Sequence, residues 1–122
     1  MADDYGHTLH WLNTVRGEQN MKTVDYLDAV KAAYSLTSDY QLAKKIGENS
    51  NRISSYRVGR TFMDDDLAIK ISYLLDMNPL TVLADAHIER ETKRGAKSMV
   101  MFWQEVKKSG RMDTKVLGKM VA

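Results

Sequence analysis

Between positions 50 and 61 the chain sets out side chains suited to one kind of chemistry. Ser50, Asn51, Arg52 and Ser55 are short polar or basic groups, and Arg60 and Thr61 follow directly. Such groups make hydrogen bonds to base edges and to phosphates. The Asn51 amide both donates and accepts, as bidentate reading of adenine requires, and Arg52 can fork onto guanine or a phosphate. Lys44 and Lys45, just upstream, add cations for phosphate contact. Catalytic chemistry has no comparable basis. There is no nucleophile elbow, no glycine loop to cradle a phosphate and no cluster of metal-ligand types. The chain has no Cys, and its three His residues lack a paired acid or nucleophile at a telling spacing. His7 and His10 are three apart with no carboxylate cluster beside them, so they read as a surface pair rather than a metal site. Asp64, Asp65 and Asp66 are consecutive and would splay around a helix, which suits a helix N-terminus better than a cation. We therefore expect no enzyme, no metal and no cofactor.

The elements that must position the polar set are two short helices within SDYQLAKKIGENSNRISSYRVGR, residues 38–60. Leu42, Ala43 and Ile46 share one face of a helix running from about Asp39 to Ile46. Gly47 ends that helix, because a left-handed position favours a residue without a Cβ. Asn49 or Ser50 caps the second helix, which runs to about Val58. Ile53 and Tyr56, three apart, point back at Leu42 and Ala43, leaving Ser50, Asn51, Arg52 and Ser55 outside. Gly59 stops the helix.

Leu42-Ala43, Gly47, Ile53-Ser54 and Gly59 together resemble the helix-turn-helix of the lambda-repressor and Cro-like family of phage and bacterial regulators. Gly47 to Ile53 spans six positions and Gly47 to Gly59 spans twelve, as the family pattern asks. The resemblance covers residues 23 to 86, about half the chain. It departs from the pattern at Glu48, where an aliphatic residue is usual, and at Asp39, where a neutral phosphate-contacting residue is common. The resemblance implies a compact five-helix bundle. It also implies that the outer N-terminal half of the second motif helix enters the major groove, with Ser50, Asn51 and Ser55 facing base edges.

The flanking segments fit an all-α bundle of this kind. Residues 23–36 read as its first helix, with Thr23 as cap and a stripe of Leu27, Val30 and Ala33 or Tyr34. Asp64 or Asp65 caps a helix that buries Leu67, Ile71, Leu74 and Leu75. Asn78 caps the next, with Pro79 at its first position, and this helix runs to about residue 92 on Leu80, Val82, Leu83 and Ile88. Residues 21–92 thus form the motif-bearing domain. Lys93-Arg94-Gly95 is a joint, and residues 93–122 add an amphipathic helix and a basic tail. In that helix Met99, Phe102, Trp103 and Val106 fall at i, i+3, i+4 and i+7. Two readings of this stripe stand level: packing back on the bundle, or a homodimer seam. Residues 1–20 form an N-terminal extension in which Leu9, Leu12 and Trp11 suggest a short helix.

Charge is nearly balanced at +2 overall, with −2 over residues 1–20, −1 over residues 21–88 and +5 over residues 89–122. Basic residues gather over 44–60, ahead of the acidic run at 64–66, as in a domain with one basic face. No apolar run reaches membrane-spanning length and no signal peptide is evident, so a cytoplasmic protein is expected, without a membrane or small-molecule partner. The expected function is sequence-specific binding of double-stranded DNA as a homodimer, in the manner of a phage-type repressor that occludes a promoter. The alternative is a protein-interaction module (an antitoxin, anti-repressor or assembly factor) working through the C-terminal aromatic helix.

Overall fold

The computed structural model describes residues 20–110. The proposed N-terminal helix with Trp11, the His7–His10 pair and the basic tail lie outside the described residues. Six helices and no strand occur among them: α1 Thr23–Ala33, α2 Asp39–Ile46, α3 Ser50–Arg57, α4 Asp65–Leu74, α5 Pro79–Arg94 and α6 Lys97–Ser109. None of these is long and apolar enough to cross a membrane.

Local signals fix most of the boundaries. Ser38 caps α2 by accepting from the Gln41 amide, and Gly47 closes it in the left-handed region at φ 71°. Asn49 caps α3 by accepting from the Arg52 amide at 2.8 Å. Asp64 caps α4 through the Leu67 amide, and Asn78 precedes Pro79 at the start of α5. The start of α1 works differently from the sequence expectation. Thr23 is the first helical residue, not the cap, and Lys22 in the cap position gives no side-chain bond. The first-turn amide of Thr23 is instead met from α5, where Glu89 Oε1 accepts from both its N–H (2.9 Å) and its hydroxyl (2.6 Å). The same hydroxyl accepts from the Met63 amide. A buried threonine thus ties together α1, α5 and the segment before α4.

The main core is built where the apolar faces of α1 to α5 converge. Tyr26, Leu27 and Val30 meet Leu42, Ala43, Ile46, Ile53 and Tyr56, closed below by Leu67, Ala68, Ile71 and Val82. Ala33 and Tyr34, expected on the buried stripe of α1, are exposed. The helix ends at Ala33, and Tyr34 turns out so that its hydroxyl reaches the Leu74 carbonyl at 2.7 Å.

Helix α6 continues this architecture by packing along α5. Ala84 and Ile88 of α5 form a second cluster with Phe102, Trp103 and Val106. The joint between the helices is Gly95, left-handed at φ 75°. Of the two readings of the aromatic stripe, the structure shows the first. Phe102, Trp103 and Val106 are buried within their own chain, and only Met99 is left open, at 36%. As a seam, Phe102, Trp103 and Val106 would have to leave that cluster. The Trp103 ring stacks on His87 at 4.0 Å and meets Phe102 edge-on at 5.1 Å.

One polar group is sealed beneath α6. Asp85 is fully buried; its Oδ2 accepts from the Tyr26 hydroxyl, and its Oδ1 lies 2.9 Å from Lys107 Nζ. Lys107 Nζ also donates to Asn20 Oδ1 at 3.1 Å. Burial pushes the Asp85 carboxyl above the ordinary carboxylate range, against the opposing pull of Tyr26, Lys107 and the Met21 amide. Desolvation likewise pushes the Tyr26 phenol well up.

Candidate nucleic-acid interface

Helix α3 is short, and its packing decides what it shows to solvent. Ile53 and Tyr56 are both buried, so they define the inward direction. At about 100° per residue the opposite direction is shared by Asn51 and Val58, with Ser54 and Ser55 on either side. The surface follows that geometry. Ser50, Asn51, Ser54 and Val58 are exposed and Ser55 is half-buried. Ser50, Asn51 and Ser55 are the residues expected there from sequence; Ser54 and Val58 are additional. Ser54 lies one turn beyond Ser50, which was the available signal. Val58, 68% exposed, gave none, since an aliphatic residue at a helix end is ordinarily taken as core.

The two arginines of α3 stand on its flanks, and each is drawn to carboxylates of its own chain. Arg52 lies one turn from Glu48 and one from Tyr56. Its Nε is 3.4 Å from Glu48 Oε1, and one terminal nitrogen donates to the Tyr56 hydroxyl at 3.0 Å and approaches Asp64 at 3.5 Å. The hydrogen bond to Tyr56 is the chief reason its guanidinium is held charged more firmly than usual. On the other flank Arg57 forks onto Asp39, with 3.2 Å from Nε and 2.9 Å from a terminal nitrogen, and reaches Asp28 at 2.7 Å. Lys31 joins Asp39 at 3.3 Å. The Arg57 bond holds the Asp39 carboxyl below the usual carboxylate range. The acid that departs from the motif pattern is thereby neutralised inside the chain. Glu48 is likewise paired, half-buried against Arg52.

The remaining cations lie at the two ends of α3. Lys44 and Lys45 sit in the last turn of α2, ahead of the Gly47 corner. Each rests against an aromatic face: Lys44 Nζ is 4.7 Å from the Tyr40 ring centre and Lys45 Nζ is 4.1 Å from that of Tyr34. Both lysines are exposed. Arg60 and Thr61 are exposed just past the other end. Lys70 of α4 braces the corner by donating to the Ile46 carbonyl at 2.8 Å, and a Cβ at Gly47 would come within 3.2 Å of its Nζ. Of the residues singled out from sequence, Ser50, Asn51, Ser55, Lys44, Lys45, Arg60 and Thr61 lie on or beside α3 in the chain. Arg52 is beside them, its side chain 46% exposed and turned toward Glu48, Tyr56 and Asp64.

No group of His, Asp or Glu among the described residues is placed to hold a metal ion. Asp65 meets Arg90 at 2.8 Å and His87 at 3.0 Å. The arrangement around α3 is chemically a neutral hydrogen-bonding ridge with cations at its ends. No family model, curated protein or solved structure matches this chain.

Proposed function

We propose that the chain is a sequence-specific binder of double-stranded DNA, a transcription regulator of lambda-repressor-like type that inserts α3 into the major groove and represses by occluding a promoter. The observation that carries this reading is the turned-out ridge of Asn51, Ser54 and Ser55 on a helix whose Ile53 and Tyr56 are fixed in the core. A rigid capped helix with small polar side chains outward can approach base edges closely. The left-handed Gly47 corner and the Asn49 cap agree with the motif resemblance. Lys44, Lys45 and Arg60 serve phosphates on either side. Two copies on an inverted repeat, with half-sites about 34 Å apart, supply the length of DNA that one short helix cannot. The surface joining the copies lies elsewhere than at Phe102, Trp103 and Val106, which are occupied within the chain.

The test is a mobility shift of duplexes flanking the protein's own gene, with excess unrelated duplex present. Specific retention that Asn51→Ala weakens about ten-fold supports the reading; equal retention of all fragments by parent and variant opposes it. A protein-interaction module would have to work through a surface other than Phe102, Trp103 and Val106, which are buried within the chain.

A further inference from the structure

We propose that α3 reads A·T base pairs, and that Arg52 and Arg57 are withheld from guanine by the chain's own carboxylates. This rests on the DNA-binding reading and adds the base class to it. Recognition of guanine in the major groove commonly uses a long donor fork, Arg or Lys, on O6 and N7. Helix α3 has two such forks, and both are engaged: Arg52 by Glu48, Asp64 and the Tyr56 hydroxyl, Arg57 by Asp39 and Asp28. Their flank positions, to either side of the Asn51–Val58 direction, turn them away from a groove floor that the ridge would face. The acceptor best suited to the cytosine N4 amine is a free carboxylate, and the ridge carries none. What the ridge does carry matches the adenine–thymine pair from both strands. Asn51 offers the donor and acceptor that adenine N6 and N7 require. Val58, two turns along and exposed, offers an apolar surface to a thymine methyl. Ser54 and Ser55 lie between and tolerate either partner.

The experiment uses the full chain and a pool of duplexes with a randomised central window. Retained duplexes should be enriched in half-sites with adenine and thymine at the positions read by α3. Asn51→Ala should lose about ten-fold of the preference for adenine at one of them. Replacing thymine by uracil in the selected half-site should weaken the parent about four-fold, the worth of one buried methyl, and leave Val58→Ala unaffected. Enrichment of guanine at those positions, lost in Arg52→Gln, overturns this proposal while leaving DNA binding intact. So does a uracil effect that is equal in parent and Val58→Ala. Recovery of no sequence above a protein-free control overturns the DNA-binding reading itself.

Discussion

Replacing Lys107 by Met should unseat the clasp between α6 and the rest of the molecule. In the parent, a carboxylate with no exposed surface is partnered by an ammonium whose side chain is only 4% exposed, at 2.9 Å. Removing one member of such a pair leaves the other charge buried and uncompensated, which costs about 3–5 kcal/mol. Asp85 keeps the Tyr26 hydroxyl and the Met21 amide, and Met fills most of the lysine stem, so the lower end of that range applies. For a domain of this size each kcal/mol shifts Tm by about 4–8 °C, so a loss of about 3 kcal/mol lowers Tm by roughly 12–24 °C. The deficit should also depend on pH. Burial already raises the Asp85 carboxyl above its unfolded value, so the folded state takes up a proton more readily than the unfolded chain. Loss of Lys107 raises it further, and the penalty present near pH 7.5 should shrink as pH falls through that raised value. Neutralising both partners while keeping an acceptor for the Tyr26 hydroxyl, Asp85→Asn with Lys107→Met, should recover much of the stability. The assay is thermal and urea melting followed by circular dichroism at pH 7.5 and pH 5. A Tm for Lys107→Met within about 2 °C of the parent, or a deficit of equal size at both pH values, would refute the buried-pair argument.

Gly47→Ala should destabilise by about 1–2 kcal/mol, from the left-handed φ and the displaced Lys70 ammonium, and should weaken DNA binding more than it lowers Tm predicts; melting and titration of the same variant check this. Ser35→Gly should raise stability by up to about 1 kcal/mol, because Ser35 holds φ at 54° where glycine is unstrained; a urea midpoint shift with unchanged slope is the expected sign. His87 is held below the ordinary imidazole value, first by burial and then by the charge of Arg90. Its folded value therefore lies under its unfolded one, and stability should fall as pH drops through the window below about 6.5. His87→Phe keeps a ring over Trp103 but binds no proton, so the part of the acid-side loss due to His87 should vanish in its melts between pH 7.5 and 5.5.

Much of this structure is written in short-range signals. Ser38, Asn49, Asp64 and Asn78 cap helices by reaching amides two or three residues on, and Gly47 and Gly95 end them by backbone conformation alone. Such features need no knowledge of the rest of the fold. The inward residues of α3 were legible for the same reason, since Ile53 and Tyr56 recur at helical spacing. What sequence could not supply were partners far apart in the chain. Glu89 replaces a local cap for α1 across 66 residues. Arg57 meets Asp28 across 29 and Asp39 across 18, and Arg52 meets Asp64 across 12. Those pairings leave a neutral ridge within the basic stretch, with Arg52 drawn to its flank and Asn51, Ser54 and Val58 facing outward. The stripe on α6 was periodic enough to be found but silent about what covers it. Ala84 and Ile88 of α5 cover it, with His87 laid over Trp103.

The most direct measurement is a fluorescence-anisotropy titration of the full chain with a selected duplex, repeated from 50 to 200 mM salt. Lys44, Lys45 and Arg60 each neutralise one phosphate in this account, which gives a log–log slope of about −2.7 per bound copy and a weakening of about forty-fold across that range. Each Lys44→Gln or Arg60→Gln substitution should reduce the slope by about 0.9, and Asn51→Ala should cut the preference for the selected duplex about ten-fold while leaving the slope unchanged. Absence of saturable binding at 50 mM salt, or a slope indifferent to Lys44, Lys45 and Arg60, would contradict the placement of α3 against DNA.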